Sequence, residues 1–150
     1  MTAAIDPDAL RAKYRAERDK RLRSDGNAQY RQPVGTLSTF LDDPNATDDG
    51  RPPVHDHVDA VIIGGGFSGL LAGVRLREAG LERIRIIETG RDVGGTWYWN
   101  RYPGVQCDIE SYIYLPLLEQ IGAMPSEKYA HGDEILDHSR AIATKWDLYR

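Results

Sequence analysis

Hydrophobic and polar positions alternate most legibly in the middle of the chain. Val58 to Ile63 form a short apolar run, and Leu70 to Ala79 carry apolar or small residues at helical spacing. Ile84 to Ile87 form a second run rich in isoleucine. Apolar runs this short, bounded by glycines and turn residues, predict strands, while the segment between them predicts a helix. Leu70, Ala72, Gly73 and Val74 mark its packed side, and Arg75, Arg77 and Glu78 its wet side. Strand, helix and strand in that order predict a right-handed βαβ unit with parallel strands.

The flanks read differently. Asp6-Pro7 predicts a helix start, with Asp6 as cap and proline at the first helical position, and the helix is expected to run to Arg23. Its apolar side is thin (Leu10, Tyr14 and alanines), so a solvated surface helix is favoured over a membrane or RNA surface. Residues 26–53 show no period and are rich in Asp, Asn, Gly and Pro, which predicts an irregular arm with one turn of helix at Thr36 to Leu41. After Ile87 the pattern gives a long aperiodic stretch, Gly90 to Tyr114, and then helical pieces at Leu117 to Ile121 and Gly132 to Trp146. No closing strand follows. The expected fold is therefore α/β: a Rossmann-like βαβ unit with an incomplete parallel sheet and an N-terminal helical extension. The expected division is residues 1–53 for the helix and arm and residues 54–150 for the nucleotide-binding portion.

Between the first strand and the helix stands Gly64-x-Gly66-x-x-Gly69, with Phe67 and Ser68 between the last two glycines. In that context the three glycines serve a tight turn, close backbone approach to a pyrophosphate, and close helix packing. The helix start offers free N–H groups and a positive dipole end to phosphates. Glu88 ends the second strand 24 residues after Gly64, near the spacing at which a carboxylate accepts ribose hydroxyls. An acid there repels a 2′-phosphate, so the pattern suits FAD or NAD rather than NADP. The stretch after Gly90 adds Gly94-Gly95 and the aromatics Trp97, Tyr98 and Trp99. A ligand wall and a cluster that merely closes the core both fit those residues.

Composition narrows the class. The chain has 150 residues, 41% hydrophobic and 28% charged, with a net charge of −4. Residues 1–35 carry a balance of +3 and the rest −7, which argues against nucleic acid as the main partner. No apolar run approaches membrane-spanning length, and the charged N-terminus lacks the apolar segment of a signal peptide, so a cytoplasmic protein without a membrane partner is expected. A single cysteine, Cys107, excludes an internal disulfide framework. His55 and His57 read as a loop before the first strand, and His131 and His138 as packing or exposed residues. No metal site is expected.

The run Gly94-Gly95-Thr96-Trp97-Tyr98-Trp99-Asn100-Arg101-Tyr102-Pro103-Gly104-x-x-Cys107-Asp108 resembles the Baeyer–Villiger monooxygenases, class B flavoprotein monooxygenases with two dinucleotide-binding domains. The N-terminal arm, Tyr114-Leu-Pro-Leu-Leu and Met124-Pro-Ser-Glu-Lys-Tyr-Ala-His-Gly resemble the cyclopentadecanone monooxygenase branch. The resemblance implies FAD across Gly64, Gly66, Phe67, Ser68 and Gly69, with its ribose on Glu88. Gly95 and the Thr96–Trp99 segment would border the flavin, and Asp108 and Tyr114 would touch it further along. Gln106, Cys107 and Asp108 match a stretch that meets the nicotinamide cofactor, although relatives often carry arginine where this chain has Gln106. Asp108 would orient, and Cys107 would be a packed thiol. In the family NADPH reduces the flavin, which with O2 inserts one oxygen atom into a ketone to give an ester or lactone. The NADPH glycine motif and the active-site arginine would fall beyond Arg150, so no catalytic residue is assigned. The chain is expected to be the FAD-binding beginning of such an enzyme, inactive alone. An FAD- or NAD-dependent dehydrogenase or reductase, or a non-catalytic nucleotide-binding fragment, is the alternative. Substrate and oligomeric state stay open.

Overall fold

The computed structural model describes residues 6–46, 50 and 52–149. The chain divides into two compact units, Met1–Asp42 and Asp43–Arg150.

In the first unit, helix α1 spans Pro7–Asp19, with the Asp6 carboxylate accepting hydrogen bonds from the N–H groups of Asp8 (2.9 Å) and Ala9 (3.3 Å). It stops four residues before the expected Arg23. None of its residues is buried, and Leu22 beyond it is exposed. Without a packed face, a further turn has only local hydrogen bonds to hold it. Two 3₁₀ segments follow, Gly26–Gln29 and Gly35–Leu41, the second covering the expected turn of helix.

The second unit is built on β1 (Ala60–Ile63) and β2 (Ile84–Ile87), paired in parallel with Ala60 opposite Ile84 and Ile63 opposite Ile87. Helix α2, Phe67–Glu78, connects them and begins three residues before the expected Leu70. The glycine signature therefore ends inside the first helical turn. One-turn helices α3 (Thr96–Trp99) and α4 (Ser111–Tyr114) interrupt the stretch that the sequence left aperiodic. A single turn is too short for a period to show. Helix α5 (Leu118–Ile121) and helix α6 (Gly132–Lys145) complete the unit.

Two apolar clusters hold these elements. Leu70 and Val74 of α2, Ile84 of β2, Val93, Leu148, and Ile142 and Ala143 of α6 form the first. Trp97, Tyr98, Cys107, Leu115, Ala130, and Ile135 and Leu136 of α6 form the second. Fully buried side chains such as Leu70, Ile135 and Ile142 each contribute about 1.5–3 kcal/mol. Helix α6 is thus shared by both clusters. The other face of the sheet carries Val61, Ile63 and Ile87, all exposed.

Candidate functional site: a cleft at the glycine turn

The turn after β1 is held from two sides by backbone. Gly64 N–H donates to Ile87 O of β2 (2.7 Å), and Gly65 O accepts from Gly94 N–H (2.9 Å). Gly66 and Gly95 then meet without side chains: a Cβ on Gly95 would lie 2.9 Å from Gly66 Cα. Gly69 packs closest of all, since a Cβ there would lie 1.9 Å from Gly64 O. Both approaches exist only because these positions are glycine.

Between the turn and the 94–97 segment lies a cleft of about 290 Å³. Gly64, Gly66, Phe67, Ser68 and Gly69 line one side, and Gly95, Thr96 and Trp97 the other, with Tyr114 at the end. Nine of the sequence-predicted residues thus meet in one place. Gly66 caps α2 with no side-chain hydrogen bond, so the first-turn N–H groups of Phe67, Ser68 and Gly69 are not capped by any side chain. Lys, Arg, Asp and Glu are absent from the lining, which leaves the α2 N-terminus as its positive pole.

The aromatic wall is fixed internally. Trp97 Nε1–H donates to Tyr114 Oη (3.0 Å), the two rings meet edge to face at 6.0 Å, and Phe67 lies 5.3 Å from Tyr114. Glu88 is outside this lining and is bonded to the turn. Its carboxylate accepts from Gly65 N–H (2.5 Å) and Gly90 N–H (3.0 Å), so it faces the glycine turn rather than bulk solvent.

The remaining predicted residues stand apart from the lining. Tyr98 is buried, with its hydroxyl on Asp43, and Trp99 packs edge-on against it at 5.2 Å. Gln106 gives its amide N–H to Tyr129 O, Cys107 is buried in the second cluster, and Asp108 is exposed. Residues 105–111 lie along 128–132 through Cys107 N–H to Ala130 O (3.1 Å) and Gly132 N–H to Val105 O (3.0 Å). Two contributors escaped the sequence reading. Gly65 supplies both an N–H to Glu88 and a carbonyl to Gly94, and Asp43 reaches Tyr98 across 55 positions of sequence. No local pattern announces a contact that distant.

A larger cavity of about 890 Å³ opens between residues 100–105 and α6. It shares only Trp97 with the predicted set and does not include the glycine turn, so size alone is a poor guide here. Among the described residues, no group of three or more His, Cys, Asp and Glu side chains could hold a metal, and no helix is long and apolar enough to cross a membrane.

Residues 62–138, which include the turn, α2, β2 and the 94–97 wall, match the NAD(P)-binding Rossmann-like domain family. The chain belongs to that family. Within it, this Rossmann-like chain is similar to neopentalenolactone D synthase of Streptomyces avermitilis, 56% identical over 146 residues, covering 97% of this chain and 25% of the relative. It is 50% identical over 149 residues to a Baeyer–Villiger monooxygenase of Streptomyces coelicolor, with the same coverage of 97% and 25%. The polycyclic ketone monooxygenase of Thermothelomyces thermophila superimposes with a TM-score of 0.79 at 42% identity, over 95% of this chain and 24% of that one. The chain spans about a quarter of the length of the curated relatives it matches. The likeness first read from residues 94–108 is therefore to Baeyer–Villiger-type flavin monooxygenases. Flavin and nicotinamide cofactors both occur among the relatives: solved ones hold FAD and NADP.

Proposed function

We propose that this chain forms the FAD-holding part of an NADPH-dependent Baeyer–Villiger-type monooxygenase that uses O2 to convert ketones, cyclic ones included, to esters or lactones. The observation that carries the reading is the cleft in which the glycine turn, the uncapped α2 N-terminus and the 94–97 wall meet, with Glu88 bonded to the turn. A bound flavin supplies the redox and oxygen chemistry, and the protein binds and shields it.

The N–H groups of Phe67, Ser68 and Gly69 hold a diphosphate by hydrogen bonds and by the helix dipole. Glu88 accepts a ribose hydroxyl beside the turn while its bonds to Gly65 and Gly90 keep the carboxylate in place. The same charge selects against a 2′-phosphate. A unit negative charge about 5 Å away costs roughly 3 kcal/mol at an effective dielectric near 20. NADPH is accordingly assigned to a second site outside these residues. Phe67, Trp97 and Tyr114 exclude water from one side of the cleft, and the Trp97–Tyr114 bond keeps both rings oriented. Asp108 and Gln106 remain candidates for contacts made with the rest of a longer protein.

The match to an NAD(P)-binding family supports a second reading, NAD in the same turn of a dehydrogenase or reductase. Titration of the purified chain with FAD, FMN, NAD and NADP, read by flavin or protein fluorescence, separates the two. Saturable FAD binding with weaker FMN and NAD binding is expected. NAD binding without FAD binding would establish the second reading, and binding of neither would overturn both.

A further inference from the structure

Asp43 comes from the stretch that the sequence reads as an irregular arm, yet its carboxylate ends beside the cleft wall. Oδ2 accepts from the Tyr98 hydroxyl (2.5 Å) and from Arg91 N–H (3.1 Å), and Oδ1 accepts from Asn45 N–H (2.8 Å). Arg91 N–H is also 3.1 Å from Tyr98 Oη, so three groups close on one another. The Tyr98 ring is buried, with the Arg101 guanidinium 4.5 Å over its face and Arg101 Nε donating to Tyr98 O (2.8 Å).

Tyr98 belongs to α3, which has only four residues and no side-chain cap. A helix that short does not hold itself and takes its position from tertiary contacts. One anchor is the Trp97–Tyr114 bond inside the cleft. A second is Tyr98 on Asp43, in addition to the packing of both rings in the second cluster. Gly95, Thr96 and Trp97, the cleft's second wall, lie immediately before Tyr98 in the chain.

We propose that Asp43 is a positioning residue for the dinucleotide cleft: it clamps Tyr98 and the Arg91 backbone, and so presets the Gly95–Trp97 wall before a cofactor arrives. The proposal rests on the FAD reading above for its ligand but not for its mechanics. Presetting matters because a wall that must be ordered on binding subtracts that ordering cost from affinity.

The test is FAD titration and backbone hydrogen exchange on the whole chain with Asp43→Ala, Asp43→Asn, Tyr98→Phe and the Asp43→Ala/Tyr98→Phe pair. A hydrogen bond to a charged group is of the size that converts to about tenfold in affinity. Asp43→Ala and Tyr98→Phe are each expected to weaken FAD binding about tenfold, the pair no more than either alone, and Asp43→Asn less. Tyr98→Phe keeps the buried ring, so it carries the test should Asp43→Ala fail to fold. A lower melting temperature with FAD affinity within twofold of the parent would reduce Asp43 to a structural residue and overturn the proposal. Effects that multiply in the pair would do the same. Without any FAD, the Trp97 and Tyr98 amides, bonded to Gly94 O and Gly95 O, should exchange faster in the variants. If the parent chain binds no FAD, the functional reading fails while this exchange still decides the clamp: unchanged exchange overturns it.

Discussion

Gly69 tolerates no side chain, because the carbonyl of Gly64 occupies the space at 1.9 Å. Gly69→Ala must push the turn away from α2, and such overpacking costs about 1–3 kcal/mol. Urea denaturation should register that loss, and FAD binding should fall with it because the displaced turn lines one side of the cleft. Gly64, whose Cβ would meet open space, offers the contrast: substitution there strains only the backbone at φ +96°. Asp43 and Tyr98 add a pH signature. Burial pushes the Asp43 carboxyl up, but hydrogen bonds from Tyr98, Asn45 and Arg91 and the charge of Arg101 outweigh it and hold the group below its ordinary 3.8. Burial and the bond to Asp43 raise the Tyr98 hydroxyl above its ordinary 10.0. A depressed acid stabilises above its unfolded value and loses that as pH falls through the folded one, and a raised phenol stabilises below its unfolded value and loses that as pH rises. The stability difference between the parent and Tyr98→Phe should therefore be flat between these limits and shrink on both sides. A difference that grows toward acid would contradict the assigned contact.

Among the elements, β2 and Glu88, the residue just after it, carry the most exposed expectation. The carboxylate accepts two backbone N–H groups, and Glu88→Gln would leave one of those donors facing an amide N–H. Leaving a donor unsatisfied costs about 1–3 kcal/mol, so a comparable drop in unfolding free energy is expected, together with weaker FAD binding. Unchanged stability would mean that Glu88 is not held on the turn in solution. The βαβ unit was legible because apolar runs, glycine spacing and an acid beside the second run are local features, and β2 starts at the Ile84 read from sequence and stops one residue short of Glu88. The start of α2 was misplaced because Phe67 to Gly69 serve as both turn and first helical turn. Helices α3 and α4 were invisible for want of length, and their positions come from Tyr98, Trp97 and Ser111, whose partners Asp43, Tyr114 and Ala130 lie far along the chain. Most of the cleft could be read from residues 64–69 and 94–97. The clamp behind it could not.

At the scale of the molecule, the outer face of the sheet bears on behaviour in solution. Val61 and Ile87 are each 52% exposed and Ile63 is 79% exposed, beside Arg85, which stands opposite Val61 and pairs with Asp56, on a sheet that has two strands among the described residues. Exposed apolar side chains beside open strand edges promote association. The 150-residue chain should therefore bind a hydrophobic dye and sediment as larger species at high concentration, and Val61→Lys should reduce both. A monomer indifferent to that substitution would show that the face is covered in solution. The sharing of α6 acts in the opposite sense. Ile142 and Ala143 secure the strands while Ile135 and Leu136 secure the aromatic layer, so neither half of the second unit can melt and leave the other a complete interior. Calorimetry of that unit should accordingly trace one transition, and any molecule gripped between the halves would move its midpoint as a whole.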